Sequence, residues 1–234
     1  MKIAVFSSKH YDQEYLEKEN SYNYQFSFFE PHLSEATAAL AQGHDVVCAF
    51  VNDGLTAVVV EAISKLGIKL IALRSAGFNN VDLKACDKYN IKVVRVPAYS
   101  PYSVAEHTVG LMLTLNRKIH RAYNRVKEGN FSLEGLMGFD MNGRTIGIVG
   151  VGKIGRITAK ILQSFGTQIL YYDLAPNATC DSMGMRYTSL DELWSLSDII
   201  SLHCPLTPET KHLINTQTIS KMKHGVMLVF RFQC

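Results

Sequence analysis

Thr145-Ile146-Gly147-Ile148-Val149-Gly150-Val151-Gly152-Lys153-Ile154-Gly155 is the stretch on which the fold turns. An apolar β-run passes straight into G-x-G-x-x-G, and Ile157, Lys160, Ile161 and Leu162 behind it suit a helix. In such a strand–loop–helix, Gly150 permits a tight turn, Gly152 lets backbone approach a pyrophosphate, and Gly155 lets the helix pack closely on the strand. The helix N-terminus offers unpaired N–H groups and the positive end of its dipole to phosphate. The next β-run, Gln168–Tyr172, ends in Asp173, 18 residues after Gly155. A carboxylate there accepts from a ribose 2′-OH and repels a 2′-phosphate; no Arg or Lys follows it immediately, so the pattern favours NAD over NADP. The bland reading of the glycines alone is a turn without ligand. Strand, loop, helix, strand and acid in order outweigh it.

Working outward, apolar runs fall at Lys2–Phe6, Gln25–Phe29, Asp45–Val51, Leu70–Leu73, Lys92–Val96, Ile199–Leu202 and Val226–Phe230. Several lack polar alternation, as strands buried on both faces do, and helical stretches separate them. The expectation is an α/β chain with two parallel-sheet domains. Ser100-Pro101 pairs an N-cap with a first-turn proline, a strong helix start. Val104, Thr108, Leu111, Met112, Leu115 and Ile119 then form a stripe running towards Tyr123. This predicts one helix of about 25 residues, ~37 Å long. The domain boundary is placed just before it, near Ala98.

Composition sets the outer limits. The chain has 234 residues, 47% of them hydrophobic and 19% charged, with a net charge of +3. These values exclude disorder, and the charge surplus is too small to predict a nucleic-acid partner. Met1–Phe6 reaches Ser7, Ser8 and Lys9 before a secretory apolar region forms, and no run approaches the ~20 residues of a membrane span. Cys48, Cys86, Cys180, Cys204 and Cys234 are odd in number, with no C-x-x-C pair, which argues against a disulfide framework or a zinc site. His10, His32, His44, His120, His212 and His224 lack metal-ligand spacing and read as surface residues. No metal is expected, and a cytoplasmic location is.

Three further segments carry a resemblance. They are Arg74-Ser75-Ala76-Gly77-Phe78-Asn79-Asn80; Val96-Pro97-Ala98-Tyr99-Ser100-Pro101 with Val104-Ala105-Glu106-His107; and Ser197-Asp198-Ile199-Ile200-Ser201-Leu202-His203-Cys204-Pro205-Leu206-Thr207. With the glycine motif they resemble the D-isomer-specific 2-hydroxyacid dehydrogenases, and within them the fermentative D-lactate branch. The resemblance implies a flavodoxin-like substrate domain over residues 1–98 and a Rossmann NAD-binding domain over 99–234, incomplete at its C-terminus. It implies NAD as cofactor, a small 2-keto or 2-hydroxy acid as substrate, and pyruvate–D-lactate interconversion by hydride transfer. It gives the substrate carboxylate to the N–H groups of Ala76 and Gly77, with Tyr99 lining the pocket. Lys153 and Ile154 join Gly150, Gly152, Gly155 and Asp173 around the cofactor, and Cys204, Pro205 and Thr210 lie by the nicotinamide. It makes Arg74 and His107 scaffold, keeps the proton donor away from His203, and treats Cys204 as a small apolar residue. Self-association through the cofactor domain, along the helix from Ser100 and the loop near 130–139, is also implied.

The family's chemistry uses an Arg that anchors the carboxylate, a His acid and a Glu that orients it. The Arg falls in an Asn-x-Ser-Arg-Gly segment after the strand matching Val226–Val229. Here the chain reads Phe230-Arg231-Phe232-Gln233-Cys234, with Gln233 in the Arg position. Arg231 stands two residues early, ~6–7 Å along a strand. No catalytic residue is assigned, and the alternative expectation is an inactive, truncated fragment that at most binds NAD(H). An exposed strand edge at Val226–Phe230 predicts marginal stability and aggregation. A cofactor-responsive binding module is a third reading, with no peptide-docking signature to support it.

Overall fold

The computed structural model describes residues 1–97 and 100–230. The chain divides into two compact units, the first ending at residue 99 and the second beginning at Ser100; the expected boundary at Ala98 lies outside the described residues.

The first unit runs β1 (Lys2–Val5), α1 (His10–Lys18), β2 (Gln25–Phe28), β3 (Val46–Ala49), α2 (Ala57–Lys65), β4 (Leu70–Leu73), α3 (Leu83–Lys88) and β5 (Lys92–Arg95). All neighbours pair in parallel in the order β2-β1-β3-β4-β5, the flavodoxin-like arrangement. Both faces are covered. Ala4, Phe6, Val47, Ala49, Ile63 and Ile71 pack on one side, and Ile3, Val5, Val46 and Cys48 on the other. That explains the missing polar alternation. Thr56 and Asp82 cap α2 and α3 through their side chains, each satisfying an otherwise unpaired first-turn N–H.

The second unit runs α4 (Pro101–Arg117), α5 (Ile119–Lys127), β6 (Thr145–Val149), α6 (Lys153–Gln163), β7 (Gln168–Tyr172), α7 (Ala178–Ser182), β8 (Arg186–Tyr187), α8 (Leu190–Leu196), β9 (Ile199–Leu202), α9 (Thr216–Ser220) and β10 (Met227–Phe230). Its parallel sheet has the order β10-β9-β6-β7-β8, the doubly wound Rossmann order. Ile146, Ile148, Ile169, Tyr171 and Ile199 fill one face, and Val149, Ile200, Leu193 and Trp194 the other. β8, at two residues, is too short for a sequence pattern and was not foreseen.

One expectation fails. The long helix from Ser100 is two helices, broken at Lys118, which sits in the left-handed region at φ 51°. The buried stripe is Val104, Ala105, Thr108, Val109, Met112 and Asn116, and none of the α5 residues is buried. Asn116 closes the stripe by bonding the Phe139 N–H (2.9 Å) and C=O (2.7 Å). Past that point the core offers α4 nothing more to cover. Leu111, Leu115 and Ile119, expected inside, are 38%, 50% and 52% exposed.

Candidate active site

The C-terminal ends of β6, β7 and β9 meet where the strand order reverses, the position at which open α/β sheets take ligands. β6 ends in a turn at Gly150, with φ +91° and its N–H donated to the Tyr172 carbonyl at 2.8 Å. A Cβ there would lie 2.7 Å from the Cys204 nitrogen and 2.9 Å from the His203 carbonyl carbon. A Cβ on Gly155 would overlap the Gly150 carbonyl oxygen. Gly152 differs: it caps α6 at φ −61°, and a Cβ would have nothing within 4 Å. Packing therefore demands the first and third glycines, while the space over the middle one is left open by the protein. That opening lies at a helix start, where first-turn N–H groups have no intrahelical partner. It is a cradle of the kind a pyrophosphate needs, and Lys153 and Ile154 open the helix beneath it.

Asp173 ties the loops together. Its Oδ2 accepts the Val151 N–H and its Oδ1 the Leu174 N–H, both at 2.8 Å. The carboxylate is thus fixed beside the glycine loop, a bond that spacing alone had not suggested. On the other side, β9 leads to His203, whose N–H donates to the Val149 carbonyl (2.8 Å) and whose ring Nε2 lies 2.9 Å from Ser201 Oγ. Cys204 is half-buried, and burial pushes its thiol above the usual range. Few thiolates form at neutral pH, in keeping with a packing role. Thr210 Oγ1 donates to the Pro205 carbonyl (2.6 Å) and accepts the Thr207 N–H (2.7 Å). Cys204, Pro205 and Thr210 accordingly belong to one closed turn beside the glycine loop.

In the first unit, the loop after β4 carries Ala76 and Gly77. Among the described residues neither N–H donates a hydrogen bond. Arg74 is a brace: it pairs with Asp12 (2.5 Å), donates to the Phe6 carbonyl (2.6 Å) and lies 5.3 Å over the Phe50 ring. Asp53, 1% exposed, accepts from Ser7 Oγ (2.6 Å), the Leu33 N–H (2.7 Å) and the Phe50 N–H (2.6 Å). Ser7 has one hydroxyl proton and gives it to Asp53, so His32 Nδ1, 2.7 Å from the same oxygen, must be the donor. Asn80 links this cluster to the loop through the Phe50 (3.0 Å) and Asp53 (2.9 Å) carbonyls. No sequence motif announced Asp53, and the motif ending in Asn80 gave no role to that residue, because their partners are backbone groups of distant segments. Of the histidines read as surface residues, His44 is half-buried against the Ala41 and Gln42 carbonyls. His107 is exposed on α4. Among the described residues no group of three His, Cys, Asp or Glu could hold a metal, and no helix is long and apolar enough to cross a membrane. Tyr99, Arg231 and Gln233 lie outside the described residues.

Residues 109–230 match the family model for the D-isomer specific 2-hydroxyacid dehydrogenase NAD-binding domain. A 2-hydroxyacid dehydrogenase homolog of Haemophilus influenzae is 55% identical, over 98% of this chain and 70% of the relative. The chain belongs to the D-isomer specific 2-hydroxyacid dehydrogenase family. Members of this family are NAD-dependent oxidoreductases, and the second unit is its NAD-binding domain. The apo D-lactate dehydrogenase of Escherichia coli superposes with a TM-score of 0.92 at 52% identity, covering 98% of this chain and 73% of that one. The Aquifex aeolicus D-lactate dehydrogenase complexed with NAD and lactic acid superposes at 0.82 with 36% identity, covering 97% and 68%. Both sheets, with every strand parallel, are the dehydrogenase fold.

Proposed function

We propose that the chain serves an NAD-dependent D-2-hydroxyacid dehydrogenase that interconverts pyruvate and D-lactate. The observation that carries the cofactor half is the open cradle over Gly152, flanked by two glycines that packing requires and closed by Asp173. Gly150, Gly152, Lys153, Ile154 and Gly155 would hold the pyrophosphate and Asp173 the adenosine ribose. Cys204, Pro205 and Thr210 would wall the nicotinamide, which supplies the hydride. In the first unit, Ala76 and Gly77 would hold the substrate carboxylate through two charge-assisted bonds, with Tyr99 against the substrate. Choosing lactate among 2-hydroxy acids rests on likeness to enzymes of that name.

A second reading applies to these 234 residues as they stand. Phe230-Arg231-Phe232-Gln233-Cys234 occupies the place of the segment that carries the family's Arg. We infer that they bind NADH without turning pyruvate over. The test is a pair of measurements on chain verified by intact mass: quenching or enhancement of NADH fluorescence, and NADH absorbance decay with pyruvate. Binding without decay supports this reading. Steady decay gives the chain its own acid and anchor, and no binding removes the cofactor assignment.

Self-association through the second unit is part of the proposal. Leu115, Ile119, Tyr123, Val126, Phe131 and Leu133 are each at least half exposed, apolar side chains of the kind that partner surfaces cover. Leu115→Lys should lower the mass seen by sedimentation, and an unchanged monomer with and without it would remove the proposal.

A further inference from the structure

Arg95 ends β5 and is exposed, so it forms no part of the core. Its Nη1 donates to the Ala76 carbonyl at 2.9 Å and lies 3.5 Å from the Val96 and Pro97 carbonyls. Its guanidinium stands 5.4 Å from the centre of the Phe78 ring. One planar group therefore touches the loop on both sides of Gly77.

A trans peptide points its C=O and its N–H in opposite directions. The Ser75 carbonyl accepts the Val96 N–H at 3.2 Å, which turns the Ala76 N–H away from the segment after β5. The Ala76 carbonyl faces Arg95, which turns the Gly77 N–H away from the guanidinium. The Gly77 carbonyl is held in its turn by Ser75 Oγ at 2.8 Å. Three successive carbonyls are fixed, and the two N–H groups between them are the ones left without a partner among the described residues. Donation into the Ala76 carbonyl also polarises that amide and strengthens its N–H as a donor.

We infer that Arg95 is the positioning residue that orients the Ala76–Gly77 peptide, so that the Gly77 N–H, beside the Ala76 N–H set by Val96, receives the substrate carboxylate. This rests on the reading given above for Ala76 and Gly77. Arg95 itself touches no substrate; it acts through the peptide. The planar group matters as well as the charge, since Nη1 meets the Ala76 carbonyl while the guanidinium lies against the Phe78 ring, a stacking that lysine's point charge does not reproduce.

The experiment uses the full 234-residue chain, labelled with 15N and saturated with NADH, and oxamate as an unreactive stand-in for pyruvate. The Ala76 and Gly77 amide resonances are followed in the unaltered chain, Arg95→Lys and Arg95→Met. The expected result is saturable shifts at both amides in the unaltered chain and about tenfold weaker oxamate binding in Arg95→Met, as for a lost charge-assisted contact. Arg95→Lys should fall between them, with NADH affinity and Tm the same in all three. Equal oxamate affinity in all three chains overturns the role of Arg95 and leaves the carboxylate reading standing. Silent amides in the unaltered chain remove that reading, and the Arg95 inference with it. A lower Tm in parallel with the weaker binding reduces Arg95 to a structural contact.

Discussion

The loop after β6 and the loop after β4 both leave the C-terminal end of a parallel strand, and both present N–H groups with no partner among the described residues. They are made in different ways. The β6 loop is built locally: glycines at 150, 152 and 155 and a helix start do the work within six residues. The β4 loop is held from afar, by Arg95 and Val96 on one side and by the Asn80–Asp53 cluster on the other. Local construction leaves a motif, whereas remote bracing leaves scattered single residues whose meaning appears only in three dimensions.

The strongest way to break the comparison is at the glycines. Gly155→Ala forces a Cβ onto the Gly150 carbonyl, and we expect a loss of ~3 kcal/mol or more in urea unfolding. Gly152→Ala should leave the unfolding midpoint in place and weaken NADH about tenfold or more, because only the cofactor meets that methyl. If Gly152→Ala unfolds the chain instead, the middle glycine serves packing and not the cofactor.

Asp173→Asn comes next. It keeps a carbonyl for the Val151 N–H but removes the charge, and NADH binding should weaken by ~1.5–3 kcal/mol. Discrimination against NADPH should fall at the same time. Equal loss for both cofactors would place Asp173 in the loop's architecture alone. Asn80→Ala sharpens the other side of the comparison. It removes the two bonds to the Phe50 and Asp53 carbonyls and should cost ~1–2 kcal/mol of stability. NADH affinity, a property of the second unit, should not move.

The smallest effect belongs to Asp198, at the opposite end of the second sheet from the glycine loop. Burial alone would raise its carboxyl, but the Thr145 N–H (2.9 Å), Lys223 (3.0 Å) and Arg144 (3.8 Å) outweigh that and hold it below the usual 3.8. A depressed folded value means the stabilisation is full above the unfolded value and is lost as pH falls through the folded one. Asp198→Asn should therefore cost under ~1 kcal/mol at pH 7, because the pairs are partly exposed. The gap between the two proteins should close below about pH 3.8. A gap unchanged down to pH 2.5 would assign the loss to packing.

Much of this protein was legible from its sequence. The nine longer strands were, most plainly the inner ones, because strands buried on both faces must be continuous apolar runs. The glycine loop and Asp173 were, because each residue's role is set by neighbours within one β-α-β unit. The break at Lys118 was not: nothing between Arg117 and Ile119 is a helix breaker. The core simply ends at Asn116, so the apolar side chains beyond it face outward. The roles of Asp53, Asn80 and Arg95 stayed hidden for a related reason. Their bonds go to backbone atoms of other segments, and a backbone carbonyl has no letter in the sequence. Side-chain type and spacing decided the sheets and the cofactor loop. Only the folded chain decided which carbonyls are held, and so which N–H groups are left free to bind.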